Sequence, residues 1–100
     1  DEVLHSTDEV PSSAVRQSHQ ESLEQAIESL EKDSIHLRDF TSLTIAVDPK
    51  KLPEAKKLIR QFRIELENLF VAGEKEEVYK LAIQLFPLTQ IEGDYPNDPQ

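Results

Sequence analysis

Val78-Tyr79-Lys80-Leu81-Ala82-Ile83-Gln84-Leu85-Phe86-Pro87-Leu88 alternates along its length. Tyr79, Leu81, Ile83 and Leu85 share one side; Lys80, Ala82, Gln84 and Phe86 share the other. Period two of this kind predicts a strand, and Pro87, with no N–H to donate, ends the pairing or marks an edge. Upstream, Glu74 to Glu77 reads as a charged loop, and Gly73 suits a left-handed helix terminator. Before it, Ala55, Leu58, Ile59, Phe62, Leu66, Leu69 and Phe70 fall on one helical stripe, the best core candidate in the chain. Asp48-Pro49 opens this helix, with Asp as N-cap and Pro at the first position. Pro53 leaves two starts open: a distorted first turn from Pro49, or a restart at Pro53.

Further upstream, Thr41 to Val47 (TSLTIAV) alternates again. Leu43, Ile45 and Val47 face one way, Ser42, Thr44 and Ala46 the other, which predicts a second strand. Ser34 to Phe40 has no clear period and reads as a connection whose apolar residues dock locally. From a cap at Ser12 or Ser13, Val15, His19, Leu23, Ala26, Ile27 and Leu30 lie within about 120° of a helix circumference. Glu21, Glu24, Glu28 and Glu31 lie opposite, and the helix ends near Lys32 or Asp33. The expected fold is therefore α+β: a helix followed by a β-α-β unit, most simply right-handed with parallel strands. Two strands alone are marginal. The small sheet is expected to be completed by a second copy or by sequence upstream.

Composition narrows the function. The chain has 100 residues, no Cys, no Met and no Trp, and 31% of its residues are charged. Without Cys there is no disulfide framework, thiolate metal site or thiol nucleophile. No apolar run approaches the length of a membrane span, and no secretory leader is visible. A formal charge of -9 argues against a general nucleic-acid binder. That charge is uneven. Residues 1–33 carry nine acids and two bases, residues 34–72 five acids and seven bases, residues 73–100 six acids and two bases. The acidity belongs to the first helix and the tails, around a locally basic second helix.

Three stretches carry a resemblance: Arg38-Asp39-Phe40-Thr41-Ser42-Leu43-Thr44-Ile45-Ala46-Val47, Ile59-Arg60-Gln61-Phe62-Arg63, and above all Glu77-Val78-Tyr79-Lys80-Leu81-Ala82-Ile83-Gln84-Leu85-Phe86-Pro87-Leu88-Thr89. Over residues 12–89 the chain resembles the C-terminal domain, of unknown function, of a large paralogous family of bacterial proteins taken to be transcriptional regulators. Members of that family pair it with an N-terminal helix-turn-helix or winged-helix region. The resemblance implies a C-terminal module without its DNA-reading half, and the absent start Met points the same way. Residues 1–11 are then the linker or strand stub from a missing N-terminal domain, 12–89 the regulatory and dimerisation domain, and 90–100 a flexible acidic tail.

Candidate site residues follow, each with its plain alternative. His19 lies on the apolar stripe, either as a core-edge imidazole with one hydrogen bond or as a ligand or proton-sensing contact. His5 and His36 are remote, and no histidine pair has helical metal spacing, so no metal is expected. Lys56, Lys57, Arg60 and Arg63 form a basic stripe. It is a solvated face, a contact for an acidic partner such as the glutamate face of a second copy, or a DNA-backbone contact. Ile64 falls among these bases, about opposite Ala55, and favours a protein contact. Arg38, beside Asp39, is a bridge or an anion site. Tyr79 is expected half-buried with one bond. Gln84, on a covered sheet face, would need Thr44 or a symmetry-related Gln as partner.

No paired carboxylates, Gly-rich phosphate loop or nucleophile elbow is present, so the chain is expected not to be an enzyme and to need no cofactor. The leading expectation is a non-catalytic oligomerisation and signal-coupling module of a cytoplasmic regulator. It forms a homodimer through the sheets or the second helices, touches DNA only through the absent domain, and has no membrane role. The alternative is a sensor that binds a small ligand or partner protein on the sheet face through His19, Arg38, Tyr79 and Gln84.

Overall fold

A computed structural model describes residues 12–93 of the chain. The linker reading of residues 1–11 and the end of the acidic tail, from residue 94, lie outside them. The described residues form two helices and one 3-10 turn: α1, Ser13–Lys32; the turn, Pro49–Lys51; and α2, Leu52–Leu69. They divide into two units. One is Thr41–Ile83, which carries the turn and α2; the other takes in residues 12–40 with 84–93 and carries α1.

The expected α+β fold is overturned. Neither 41–47 nor 78–88 enters a ladder, and there is no strand or sheet among the described residues. The β-α-β unit, its crossover and the small sheet awaiting completion go with it. Alternation records which side chains share a side of the backbone and says nothing about a partner. A strand is stable only when neighbouring backbones accept and donate its hydrogen bonds. The boundary between the two units falls within the 78–88 stretch, between Ile83 and Gln84.

The helices form where expected because a helix closes its hydrogen bonds within its own segment. Ser12 is the N-cap of α1: its Oγ accepts from the Val15 N–H at 3.0 Å, satisfying one of the orphan donors of the first turn. At the other end the Asp33 N–H donates to Ser29 O at 2.9 Å. The two starts left open for the second helix are both used. The Asp48 carboxylate accepts from the Lys50 N–H at 3.0 Å, Pro49 opens a tight turn, and the α-helix begins at Leu52 with Pro53 in its first turn. Proline is tolerated there because no intrahelical acceptor awaits its missing N–H. Glu54 lies in the same turn, where a carboxylate favours the helix dipole.

α2 stops at Leu69, three residues short of the turn at Ala72-Gly73. The Phe70 N–H reaches back to Leu66 O and Glu67 O at 3.2 and 3.1 Å. Gly73 does take a left-handed conformation, φ +96°, but in the turn beyond the helix rather than as its cap. The Lys75 ammonium closes that turn, donating to Val71 O at 2.6 Å and to Gly73 O at 3.4 Å.

No described side chain is buried. The more covered line of α1 is Val15, Ser22, Ala26 and Ser29; that of α2 is Leu52, Ala55, Ile59 and Leu66 together with Arg60, Arg63 and Glu67. The apolar stripes expected to build a core are thus covered along one edge only. On α1, Leu23, Ile27 and Leu30 stay exposed; on α2, Leu58, Phe62 and Leu69 do. The 34–40 connection does not dock as expected either, since Ile35 and Leu37 are both exposed.

Candidate functional site

The surface of α2 holds two distinct features. Lys56 and Lys57 are exposed on one side, with Arg60 and Arg63 half-buried beside them. The stripe is therefore not one uniform solvated face: its arginines are partly covered while its lysines are exposed. Neither arginine is without an interaction partner. Ile64 sits on the opposite side of the helix from Ala55 and is 51% exposed.

The second feature is the uncovered apolar edge. Leu58 is 72% exposed, Phe62 49% and Leu69 66%. Leu52, Ala55, Ile59, Phe62, Leu66 and Leu69 step along the helix by alternating threes and fours. This is the spacing that packs one helix against another. Read from sequence, the stripe passed for core, and Phe62 and Leu69 were not among the candidate interface residues. The three-four spacing was the available signal; exposure was not legible.

Of the remaining candidates three are exposed and one, Arg38, is half-buried. His19 is exposed on α1, so it is not the core-edge imidazole its position on the stripe suggested. Arg38 is half-buried and turns back over the end of α1. Its Nε donates to Asp33 O at 3.1 Å, and its guanidinium lies 5.5 Å from the Phe40 ring centroid, within cation–π reach. A cation at this place also meets the negative end of the helix dipole, so the arginine works as a C-terminal cap. Tyr79 is 70% exposed, not half-buried. Gln84 is exposed as well, so the requirement for a buried partner such as Thr44 does not arise.

Two shallow depressions lie along α1. The larger, about 460 Å³, is lined by Ser13, Arg16, Gln17, Gln20, Glu21 and Glu24. The smaller, about 270 Å³, is lined by Glu21, Glu24, Gln25 and Glu28. Both open to solvent, their walls are polar or charged, and no candidate ligand residue lines either. Among the described residues no group of three His, Asp or Glu side chains is placed to hold a metal ion. No described helix is long and apolar enough to cross a membrane.

The surface ion pairs are local. Lys32 Nζ lies 3.9 Å from Glu28 and Lys51 Nζ 3.4 Å from Glu54, one helical turn apart and well exposed. Pairs of this kind contribute at most about 0.5 kcal/mol. They do not compensate for apolar side chains left in water. Apolar side chains are exposed on both helices and in the stretches between them; on α2 they form an edge bordered by charge.

No curated protein and no solved structure matches the chain. A family model does match, over residues 1–88, and its description is a domain of unknown function. The match takes in both helices, the apolar edge of α2 and the 78–88 stretch, and on that extent the chain belongs to the DUF4423 family.

Proposed function

We propose that this chain is a non-catalytic oligomerisation and signal-coupling module of a bacterial transcriptional regulator. The observation that carries the reading is the apolar edge of α2 in a molecule with no buried side chain among its described residues. A large apolar side chain in water forgoes about 1.5–3 kcal/mol. A helix with several of them in line gains most by packing against another helix. The resemblance of residues 77–89 to the C-terminal domain of regulators supplies the context. Two modules that pair set the separation of two reading heads, and operator half-sites are spaced to match.

In this reading the DNA-reading region lies elsewhere in the parent protein, which works in the cytoplasm beside the chromosome. The present chain, at -9, is repelled by phosphate and leaves DNA to that region. Its work is mechanical: a homodimer whose geometry transmits a change in one module to the other.

Sedimentation equilibrium at tens of micromolar tests the proposal. A dimer is expected, and a strict monomer at that concentration overturns the reading.

A further inference from the structure

The apolar edge of α2 specifies a partner and a direction, and we infer that the partner is α2 of a second copy, packed antiparallel. This rests on the oligomerisation reading above and adds its geometry.

The charge along the segment is graded. Residues 50–60 carry five bases (Lys50, Lys51, Lys56, Lys57, Arg60) and one acid, Glu54. Residues 61–77 carry two bases (Arg63, Lys75) and five acids (Glu65, Glu67, Glu74, Glu76, Glu77). Within α2 itself, residues 52–60 carry three bases (Lys56, Lys57, Arg60) and one acid (Glu54) and residues 61–69 one base (Arg63) and two acids (Glu65, Glu67), so its start is positive and its end mildly negative, with the flanking residues extending both trends. The helix dipole adds its own positive end to the lysine-rich start. Parallel pairing sets like charge beside like charge within a Debye length of about 8 Å. Antiparallel pairing sets each positive end against the partner's negative end, and it satisfies the two-fold rule that one surface meets itself.

The apolar spacing agrees. In antiparallel packing the two lines of a three-four stripe pair across the interface. One register pairs all six positions: Leu52 with the partner's Leu69, Ala55 with the partner's Leu66, and Ile59 with the partner's Phe62. Small Ala55 then stands opposite a large Leu, so the layer fills without a clash. The exposed members, Phe62 and Leu69, gain cover from this arrangement, as do the uncovered parts of the four half-buried ones. The two-fold axis passes between Arg60 and Gln61.

The chain contains no cysteine, so single introduced cysteines report contacts without background. The full chain is prepared as Ala55→Cys and as Leu66→Cys, and each is first checked by sedimentation against the parent. Mixed under mild oxidation, the two are expected to form a mixed disulfide at least tenfold faster than either forms a disulfide with itself. In the antiparallel register like positions are 11 residues apart along the axis, about 16 Å at 1.5 Å per residue, beyond disulfide reach. The pair Leu52→Cys and Leu69→Cys, whose like positions are 17 residues or about 25 Å apart, repeats the test one layer outward should either first variant fail to fold. Self-linking of Ala55→Cys at the rate of the mixture means parallel pairing and overturns the inference. A sedimenting dimer with no mixed disulfide from either pair overturns the α2 interface but not the oligomerisation reading. A monomeric parent overturns both.

Discussion

Replacing Phe62 with Ala separates a dimerisation surface from an ordinary exposed residue. Phe62 is 49% exposed. A buried Phe side chain removes about 200 Å² from water, so about 100 Å² remains for a partner to cover. At about 25 cal/mol per Å² this is about 2.5 kcal/mol per copy, or about 5 kcal/mol for a symmetric pair. Alanine retains its β-carbon and part of that gain, so the expected loss is about 3–4 kcal/mol. The dimer dissociation constant then rises at least a hundredfold. Ile64 is the control. It is as exposed as Phe62, at 51%, equally apolar, and on the other side of the helix. Ile64→Ala is expected to leave the dissociation constant within about twofold. Sedimentation equilibrium across a concentration series measures all three proteins, and circular dichroism checks that each keeps its helices. The reasoning is refuted if Phe62→Ala associates as tightly as the parent, or if Ile64→Ala weakens association as much. The first result would place the interface away from Phe62; the second would mean that exposed apolar area acts without regard to face.

Two further predictions concern the scaffold. Ser12→Ala removes the hydroxyl that accepts from the Val15 N–H at 3.0 Å and is expected to destabilise α1 by about 1 kcal/mol. Hydrogen exchange should show the loss at the first-turn amides with α2 unaffected, and unchanged protection there would count against the cap. Gly73→Ala meets no atom within 4 Å of the new β-carbon, so its cost is the left-handed backbone alone, about 1 kcal/mol. Gly73→Asn should cost less than Ala in thermal melts, because asparagine tolerates this conformation better; the reverse order would show that sterics, not φ, set the penalty.

How much of this was legible in the sequence differs from element to element. Ser12 before the Val15 to Leu30 stripe marked the start of α1, and Asp48-Pro49 marked the turn that leads into α2. These signals act through hydrogen bonds between residues two to four apart, so the local sequence contains both partners. The 41–47 and 78–88 stretches misled because a strand's partners are distant and alternation does not name them. Gly73 was read correctly for its conformation and wrongly for its place, since helix end and turn are separated by only three residues. Among the candidate site residues, Arg38 proved to cap a helix through Asp33, five residues back, which the adjacent Asp39 had obscured. The core-edge reading of His19, the partial burial of Tyr79 and the covered face of Gln84 all depend on packing, and all three residues are exposed.

By itself the sequence determined two amphipathic helices, the signals that start them, the acidic flanks and the graded charge along residues 50–77. Each of these is a property of residue type and short spacing. Only the tertiary structure decided that the strand-like stretches form no ladder and that Leu58, Phe62 and Leu69 face solvent. Spacing groups apolar side chains on one face of a helix, but what that face meets depends on the rest of the chain. The stripe that looked like the core of a small domain is instead half-buried along one line and open to solvent at Leu58, Phe62 and Leu69.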